Sequence, residues 1–154
     1  MAIEIERKYL VELESLPDLD KGVYISQGYI ETEGKNVVRA RVKGEKGFIT
    51  LKSESTGISC SEFEYEIPKA DALEIIATMC NGRVVEKTRY KVKVGSHFWE
   101  LDVFHGQNDG LIVAEIELSA EDEKYEVPGW VKEEVSGQKK YYNVNLLNEP
   151  FSKW

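Results

Sequence analysis

The sequence has only two cysteines, two histidines and four prolines among its 154 residues. It shows no zinc-type Cys/His spacing, no G-x-S-x-G elbow, no dinucleotide fingerprint and no P-loop. Cys60 and Cys80 fit a reducing cytosol better than a disulfide framework, so we expect free thiols and a cytoplasmic protein. His97 and His105 have no partner at ligand spacing, and we expect structural roles for them.

Long apolar runs are also missing. No stretch approaches the roughly 18 apolar residues that cross a bilayer, and no secretory signal is visible at the N-terminus. Basic residues are in deficit, with 20 Lys and Arg against 28 Asp and Glu, a net charge of −8. This balance argues against a nucleic-acid-binding surface, but not against a small phosphate substrate whose cations are concentrated in one place. No linker, repeat or low-complexity segment appears, so we expect one domain over residues 1–154.

Alternation of apolar and charged residues runs through most of the chain and predicts β-strands. The first predicted strand covers residues 2–10. Seven more are predicted at 24–31, 37–43, 47–53, 61–67, 83–94, 97–104 and 111–119. Short glycine-containing connections predict antiparallel hairpins. We therefore expect a mainly β fold, a closed eight-stranded antiparallel barrel with minor helices packed outside. Closing the barrel removes the exposed edges that an open sheet would have.

One internal segment changes to a helical period. Pro68 suits a first helical turn, and Asn81-Gly82 supplies a stop. The apolar residues predicted to share the packed face are Leu73, Ile76, Ala77 and Cys80. The C-terminal segment, 138–154, is predicted to end in a short helix against the barrel.

The charges on the predicted strands are sorted by sign. Acids occupy one face of some strands (Glu4, Glu6; Glu62, Glu64, Glu66; Glu100, Asp102; Glu115, Glu117), and bases occupy one face of others (Arg39, Arg41, Lys43; Lys87, Arg89, Lys91, Lys93). Acids two residues apart on a strand lie about 6.7 Å apart, and at an effective dielectric near 20 they repel by about 2.5 kcal/mol. A solvated face would avoid part of that cost by mixing signs, whereas a cation site would exploit it.

Two interpretations follow from the residues alone. The charged faces could cover the outside of a sheet with an apolar interior. Alternatively, they could line a hydrophilic tunnel whose apolar faces point outward. Paired carboxylates suit Mg²⁺ or Mn²⁺, and Arg and Lys suit phosphate oxygens. In the second interpretation, the tunnel would accept a polyphosphate chelated to a divalent metal ion.

Several motifs resemble one known family. "EIERK" at 4–8 matches the E-x-E-x-K signature of the CYTH superfamily, the triphosphate tunnel metalloenzymes. Further motifs follow in the family's order: "RARV" at 39–42, "TLK" at 50–52, "EFEYEIP" at 62–68, "EKTRY" at 86–90, "WELDVF" at 99–104, "GLIVAEIEL" at 110–118, and "EEV" and "YYN" within 133–143. The resemblance covers nearly the whole chain and is closest to the short bacterial members that consist of the barrel alone.

The resemblance implies an eight-stranded barrel with a hydrophilic tunnel. It also implies metal-dependent hydrolysis of a triphosphate, with one or two Mg²⁺ or Mn²⁺ ions. The first expectation is inorganic tripolyphosphate giving pyrophosphate and phosphate. The alternatives are a class IV adenylyl cyclase, a nucleoside or thiamine triphosphatase, and a non-catalytic polyphosphate-binding barrel. The expected partner is a small-molecule triphosphate rather than a nucleic acid or a membrane, and barrels of this family often pair as homodimers.

The resemblance also assigns roles to individual residues. The expected metal ligands are Glu4, Glu6, Asp102, Glu115 and Glu117. The expected phosphate-binding residues are Arg39, Arg41, Lys52, Lys87 and Arg89. Lys8 is expected to orient or deprotonate the attacking water, or else to be another phosphate ligand. The expected supporting acids are Glu62, Glu64 and Glu134, the last of which is expected to face the tunnel.

Overall fold

Nine strands and one α-helix form the fold of the computed structural model, which describes residues 3–154. The strands are β1 (Ile3–Val11), β2 (Val23–Ile30), β3 (Val37–Lys43), β4 (Lys46–Lys52), β5 (Ser59–Ile67), β6 (Val84–Val94), β7 (His97–Phe104), β8 (Ile112–Leu118) and β9 (Val131–Glu134). The helix α1 is Lys69–Met79. Short 3-10 helices occupy Leu13–Ser15, Gly106–Asn108, Lys139–Tyr141, Asn143–Leu147 and Phe151–Lys153. Residue 2, which the first predicted strand includes, lies outside the described residues.

The strands form a single antiparallel sheet that closes on itself. The order is β5-β4-β3-β2-β6-β7-β8-β1, and β1 pairs back with β5 over Ile3–Ile5. The other end of that same edge of β1, from Tyr9 to Val11, pairs with β9. This confirms the predicted eight-stranded antiparallel barrel, to which β9 adds a short extra strand.

Helix α1 packs outside β2, β3 and β4, but its packed face differs from the predicted one. Leu73 and Ala77 are exposed, whereas Ala72 and Cys80 are buried. A Cβ atom at Gly28 of β2 would lie 2.7 Å from Cys80 Sγ, so the absent side chain lets the end of the helix approach the sheet. The helical period of the sequence predicts an apolar face, but it cannot show that Gly28 of the sheet leaves room for the end of the helix.

The first apolar cluster lies on the outside of the barrel. Trp99, Leu101 and Ile116 project outward from β7 and β8 and are buried. Trp130 packs on Trp99 with the ring centroids 5.8 Å apart, and Tyr9 of β1 joins the same cluster. The cover consists of connecting segments rather than further helices, with Leu16, Leu19 and Tyr125 packed against these residues.

The second apolar cluster fills one end of the barrel interior. Val85, Phe104 and Val113 have the same parity as the charged residues of their strands, and Tyr29 has the parity of Gln27, which contacts Arg41, so all four point inward. The C-terminal segment adds the buried side chains Val135, Tyr141 and Leu146 to this cluster. The tail was predicted to pack against the barrel. It does so and ends in a short 3-10 helix, Phe151–Lys153, while its earlier part also plugs one end of the barrel.

The cysteines and the helices agree with the expectations from composition. Cys60 and Cys80 are both free, as expected. No helix within residues 3–154 combines the length and apolar character that crossing a membrane requires.

Candidate active site

The charged faces of the strands line the barrel interior. From β1, Glu4 reaches Lys52 across the closing seam, and Lys8 reaches the tail. The buried polar and charged residues are Lys8, Gln27, Arg39, Arg41, Thr50, Lys87, Asp102, Asn108 and Glu115. All but Asn108, which lies in the 3-10 helix Gly106–Asn108, point into the barrel by strand parity, so the tunnel interpretation is the one that the structure adopts.

Two carboxyl groups meet in the middle of this interior. The carboxyl group of Glu6 is hydrogen-bonded to that of Glu115, with Glu4 nearby. Burial, together with the negative charges of Glu115 and Glu4, raises the pKa of Glu6 well above its usual value. Two acids forced together in this way are relieved either by a shared proton or by a cation.

The pKa of Glu115 moves in the opposite direction. Burial alone would raise it, but the positive charges of Lys8 and Arg89 outweigh burial and hold this pKa well below its usual value. Lys8 Nζ lies 3.9 Å from Glu115 Oε1 and donates a hydrogen bond to the Tyr141 carbonyl at 3.1 Å. Of the two carboxyl groups, Glu115 is therefore the one whose surroundings favour the ionised form.

A row of basic side chains faces these acids. Arg39 donates from Nη2 to Thr50 Oγ1 at 3.1 Å and to Glu64 at 3.3 Å, and its buried Nε has no partner among residues 3–154. Arg41 donates from Nε and Nη2 to Gln27 Oε1 at 3.0 and 2.7 Å. An unpaired buried N–H group is costly, so the Nε of Arg39 marks a place for an acceptor.

Burial is the main cause of the pKa shift of Arg41, and two neighbouring cations add to it. Burial lowers this pKa to about 10, and the positive charges of Arg39 and Arg89 act in the same direction. Crowding of cations with few counter-ions is an arrangement that an anion stabilises. This part of the interior is therefore suited to phosphate oxygens.

Lys52 differs from Arg41 because it lies beside carboxylates, near the pairing of β1 with β5 that closes the barrel. Its Nζ contacts Glu4 at 2.9 Å and Glu62 at 3.3 Å. Burial lowers the pKa of Lys52, but the carboxylates of Glu4 and Glu6 outweigh burial and raise it above its usual value. Lys52 is thus held charged at the boundary between the acidic and basic walls.

Asp102 lies among cations rather than among the other acids. Its carboxylate accepts from Lys87 Nζ at 2.7 Å and, in a bidentate contact, from Arg89 Nε at 2.7 Å and Nη2 at 2.9 Å. Burial raises the pKa of Asp102, but Lys87 and Arg89 outweigh it and lower this pKa. The family resemblance implies a metal ligand here, whereas the structure shows a carboxylate already bound by two basic side chains.

Burial also dominates the pKa of Lys87. It lowers this pKa to about 7, against the opposing effect of Asp102. Lys87 Nζ also donates to Asn143 Oδ1 at 2.8 Å. The same amide oxygen accepts from Gln27 Nε2 at 3.0 Å, so one residue of the tail holds groups from both β6 and β2.

The remaining predicted acids differ in exposure and in the face of the sheet that they occupy. Glu117 and Glu64 are exposed and Glu62 is half-buried. Glu134 lies on the outer face, where it pairs with Arg7 Nη1 at 2.8 Å. The expectation that Glu134 faces the tunnel is therefore wrong, because β9 places it opposite Tyr9, an outward-facing residue.

A CYTH domain matches residues 2–147. The chain belongs to the CYTH family. This confirms the resemblance inferred from the E-x-E-x-K signature and its accompanying motifs.

Two curated relatives, both called inorganic triphosphatase, are similar along nearly their whole length. One, from Acetivibrio thermocellus, is 44% identical over 154 residues, covering 100% of this chain and 99% of the relative. The other, from Nitrosomonas europaea, is 39% identical over 148 residues, covering 93% and 95%.

A solved structure gives the same result. The crystal structure of an inorganic triphosphatase aligns with this CYTH barrel at a TM-score of 0.67 and 37% identity, covering 96% of this chain and 95% of that one. A putative adenylate cyclase from Bacillus halodurans aligns at a TM-score of 0.57 but only 18% identity, covering 79% and 84%, and thus shares the fold.

Triphosphate tunnel metalloenzymes of the CYTH family depend on a metal ion. Among residues 3–154, no three His, Cys, Asp or Glu side chains form a ready-made metal cage. Mg²⁺ is commonly held by one or two carboxylates together with substrate phosphates. The Glu6–Glu115 pair, with its raised Glu6 pKa, fits that requirement.

Gln27 and Asn143 are interior residues that sequence reasoning missed. Gln27 has the same parity as Ile25 and Tyr29 on β2, so parity along residues 24–31 could have found it. Asn143 belongs to the "YYN" motif, which marked its position but gave it no role, because its contacts with the barrel depend on how a 3-10 helix of the tail packs.

Proposed function

We propose that this protein hydrolyses inorganic tripolyphosphate to pyrophosphate and phosphate with a divalent metal ion. The observation that carries the proposal is a closed interior in which crowded cations, including the unpaired Nε of Arg39, face the Glu6–Glu115 pair. Such a site complements a chain of phosphates bound to a metal ion. The full-length similarity to two proteins called inorganic triphosphatase supports the choice of substrate.

Glu6 and Glu115 are assigned as the residues that would hold Mg²⁺ or Mn²⁺. Glu4 and Glu117 lie beside them and would serve a second ion. When bound, the ion supplies positive charge against the phosphate oxygens. Asp102 is assigned to fixing the positions of Lys87 and Arg89 rather than to the metal ion.

Phosphate binding is assigned to the basic residues of the interior: Arg39, Arg41, Lys52, Lys87 and Arg89. Phosphoryl transfer spreads negative charge over the oxygens of the transferred group, and fixed cations in a closed site stabilise that charge. The supporting acids Glu62 and Glu64 contact Lys52 and Arg39 at 3.3 Å each and hold them in place.

Lys8 is assigned to the attacking water. Its ammonium group lies inside the barrel beside Glu115 and is oriented by the Tyr141 carbonyl. From that position it would orient the water or, in its neutral form, accept the proton that the water loses. Binding of a phosphate oxygen is the alternative role of Lys8, and it predicts different kinetics.

The decisive experiment measures phosphate release from tripolyphosphate, ATP and thiamine triphosphate in parallel, with Mg²⁺ or Mn²⁺, alongside an assay for cyclic AMP. Tripolyphosphate is expected to be hydrolysed fastest, with no cyclic AMP formed. Dominant cyclic AMP production would replace the proposal with a cyclase. Binding of tripolyphosphate without any phosphate release would leave only a binding barrel.

A pair of matched variants separates the site from the rest of the surface. Glu115→Gln removes one interior carboxylate without changing its size, and we expect phosphate release to be lost. Glu45→Gln makes the same change at a side chain that is 94% exposed, and activity is expected to be unchanged. Equal activity of the two variants would contradict the metal assignment.

The remaining assignments concern compartment and assembly. Free thiols at Cys60 and Cys80 fit a reducing compartment, and we assign the cytoplasm. The substrate is a small molecule rather than a nucleic acid or a membrane component. Pairing as a homodimer is part of the proposal, and the molar mass in solution tests it.

A further inference from the structure

Residues 134–136 bind the backbone of Lys8. Ser136 Oγ accepts a hydrogen bond from the Lys8 amide at 2.9 Å, and the amide of Val135 donates to the Lys8 carbonyl at 2.8 Å. The Ser136 hydroxyl donates in turn to Glu134 Oε2 at 2.7 Å. The segment around the "EEV" motif therefore reaches Lys8, although Glu134 itself lies outside the tunnel.

Lys8 lies at a break in the pairing of one edge of β1. In an antiparallel ladder, the N–H and C=O groups of a residue point to the same edge of its strand. Along this edge, β5 pairs only over Ile3–Ile5, and β9 pairs only from Tyr9 to Val11. Since Lys8 falls between the two, Ser136 and Val135 take the place of a ladder partner.

The network also fixes the direction of the Ser136 hydroxyl. A hydroxyl has one donor and two acceptor lone pairs, whereas an ionised carboxylate only accepts. Glu134 Oε2 receives the Ser136 hydroxyl and also Arg7 Nη1, the latter at 2.8 Å. Because the hydroxyl proton is directed to Glu134, a lone pair of Ser136 is left for the Lys8 amide.

The side chain of Lys8 is held by the same part of the chain. Its Nζ donates to the Tyr141 carbonyl at 3.1 Å and lies 5.9 Å from the centre of the Tyr142 ring. Both ends of Lys8 are therefore bonded to residues 135–142. Misplacing a reacting group by about 1 Å can slow a reaction by about 10²-fold, so the backbone bonds of Lys8 bear on its chemistry.

We propose that Ser136 is a positioning residue for Lys8 and that Glu134 orients the Ser136 hydroxyl. Neither side chain touches the triphosphate, and both act through the backbone of Lys8. Glu134 thus supports the site from the outer face of the barrel. The inference rests on the proposed function, because it needs Lys8 to act on the attacking water or on a phosphate oxygen.

The first test measures kcat and KM for tripolyphosphate in Ser136→Ala, Lys8→Ala and the double variant. Ser136→Ala should change the parameter that Lys8→Ala changes, by roughly 10- to 100-fold. That parameter is kcat for a lysine that acts on water and KM for one that only binds phosphate. In the Lys8→Ala background, Ser136→Ala should change it by less than about twofold, because an effect exerted through Lys8 disappears with its side chain.

Two further variants test the chemistry of the network. Ser136→Thr keeps a hydroxyl at this position, so its kinetics should be close to those of the wild type. Glu134→Ala frees the Ser136 hydroxyl to rotate and should give a smaller change than Ser136→Ala does, in the same kinetic parameter.

Ser15→Ala is the matched control. Ser15 Oγ donates to Glu12 Oε2 at 2.6 Å, and the same carboxylate pairs with Lys132 at 3.1 Å. This is again a serine, a glutamate and a cation in a row, but no hydrogen bond of the Ser15 side chain within residues 3–154 reaches the tunnel. Its kcat and KM should be unchanged, and urea unfolding confirms that both alanine variants are folded under the assay conditions.

Hydrogen exchange of the Lys8 amide, followed by NMR, gives a readout that does not depend on turnover. Loss of its acceptor in Ser136→Ala should raise the exchange rate by at least about tenfold, and Ser136→Thr should keep it low. The amide of Arg7, which points to the opposite edge and to β8, should keep its rate. A wild type that does not hydrolyse tripolyphosphate would contradict the proposed function, while the exchange rates still decide whether Ser136 anchors Lys8.

Four outcomes would overturn the positioning role. Unchanged kinetics of Ser136→Ala, or an unchanged exchange rate of the Lys8 amide, would show that the hydroxyl does not hold Lys8. A loss of the same size in the Lys8→Ala background would show that Ser136 acts independently of Lys8. An equal loss in Ser15→Ala would indicate general loosening of the outer surface.

Discussion

Lys8 is the site residue whose two candidate roles can be separated by kinetics. It lies between Glu115 of the acidic wall and the tail, where the Tyr141 carbonyl accepts a hydrogen bond from its ammonium group. A lysine in this position can either bind phosphate or act on the attacking water. The two roles predict different kinetics, because loss of binding alone raises KM while loss of a base lowers kcat.

The first prediction concerns Lys8. Lys8→Ala should lower kcat by about 10²–10⁴-fold, the range for loss of a general base, with a smaller change in KM. Lys8→Arg keeps the charge but cannot act as a base, so it should be as slow as Lys8→Ala. A rescue of kcat by arginine would assign Lys8 to phosphate binding. Near-normal turnover of Lys8→Ala beside an inactive Glu115→Gln would exclude the base and keep the metal assignment.

The second prediction concerns Asp102. Asp102→Ala removes the partner of two buried cations, Lys87 and Arg89, and should lower the free energy of unfolding by about 3–5 kcal/mol. Urea unfolding measures this. If stability is unchanged and the metal concentration needed for activity rises, Asp102 is a metal ligand, as the sequence analysis expected.

At the scale of elements, the tail connects the fold to the site. Its apolar side chains Val135, Tyr141 and Leu146 complete the plug. Its polar groups bind the site directly, since Asn143 accepts from Lys87 and from Gln27, and Gln27 in turn holds Arg41. A segment that packs as part of the core therefore also sets the positions of phosphate-binding side chains.

The third prediction follows from that connection. Asn143→Leu leaves the donors of Lys87 and Gln27 without their shared acceptor, at a cost of about 1–3 kcal/mol for each buried unpaired group. Urea unfolding should show the loss of stability, and KM for tripolyphosphate should rise because Lys87 and Arg41 are no longer held.

Asn145→Leu is the matched control for this prediction. Asn145 lies in the same 3-10 helix and bonds only to the exposed Lys139 carbonyl, so KM should not change. Equal kinetics of the two variants would show that the tail acts only as a plug.

At the scale of the whole molecule, net charge and local charge have opposite signs. The chain carries a net charge of −8, yet its interior gathers buried arginines and lysines. Closing the barrel separates these cations from most of the surface acids, so the cations remain available to a phosphate chain. Burial is the main cause of the lowered pKa of Arg41, and repulsion by Arg39 and Arg89 adds to it.

The fourth prediction follows from that repulsion. The measurement is made without divalent metal ions, so that tripolyphosphate is not hydrolysed. Tripolyphosphate at about 100 times its Kd should then stabilise the fold by about 2.7 kcal/mol. For a chain of about this size, Tm should rise by roughly 5–10 °C, measured by a thermal melt. Arg39→Met should reduce the rise, whereas Lys35→Met, at an exposed pair with Glu54, should not. An equal rise in both variants would place the anion elsewhere.

The strands, their antiparallel order and the polar parity of β1, β3, β6 and β8 were determined by the sequence itself. These properties are local: a period of two residues sets which side chains share a face, and the short connections set the hairpins. The family motifs predicted which face of each strand points into the barrel, without any knowledge of long-range contacts.

Only the tertiary structure decided which charged groups meet. Asp102 pairs with Lys87 and Arg89, Glu6 meets Glu115, Glu134 lies outside, and the tail fills one end of the barrel. Each of these depends on the register between strands far apart in sequence and on where the barrel closes. Parity assigns a residue to a face, but its partner across the interior is fixed by closure, which no local pattern encodes.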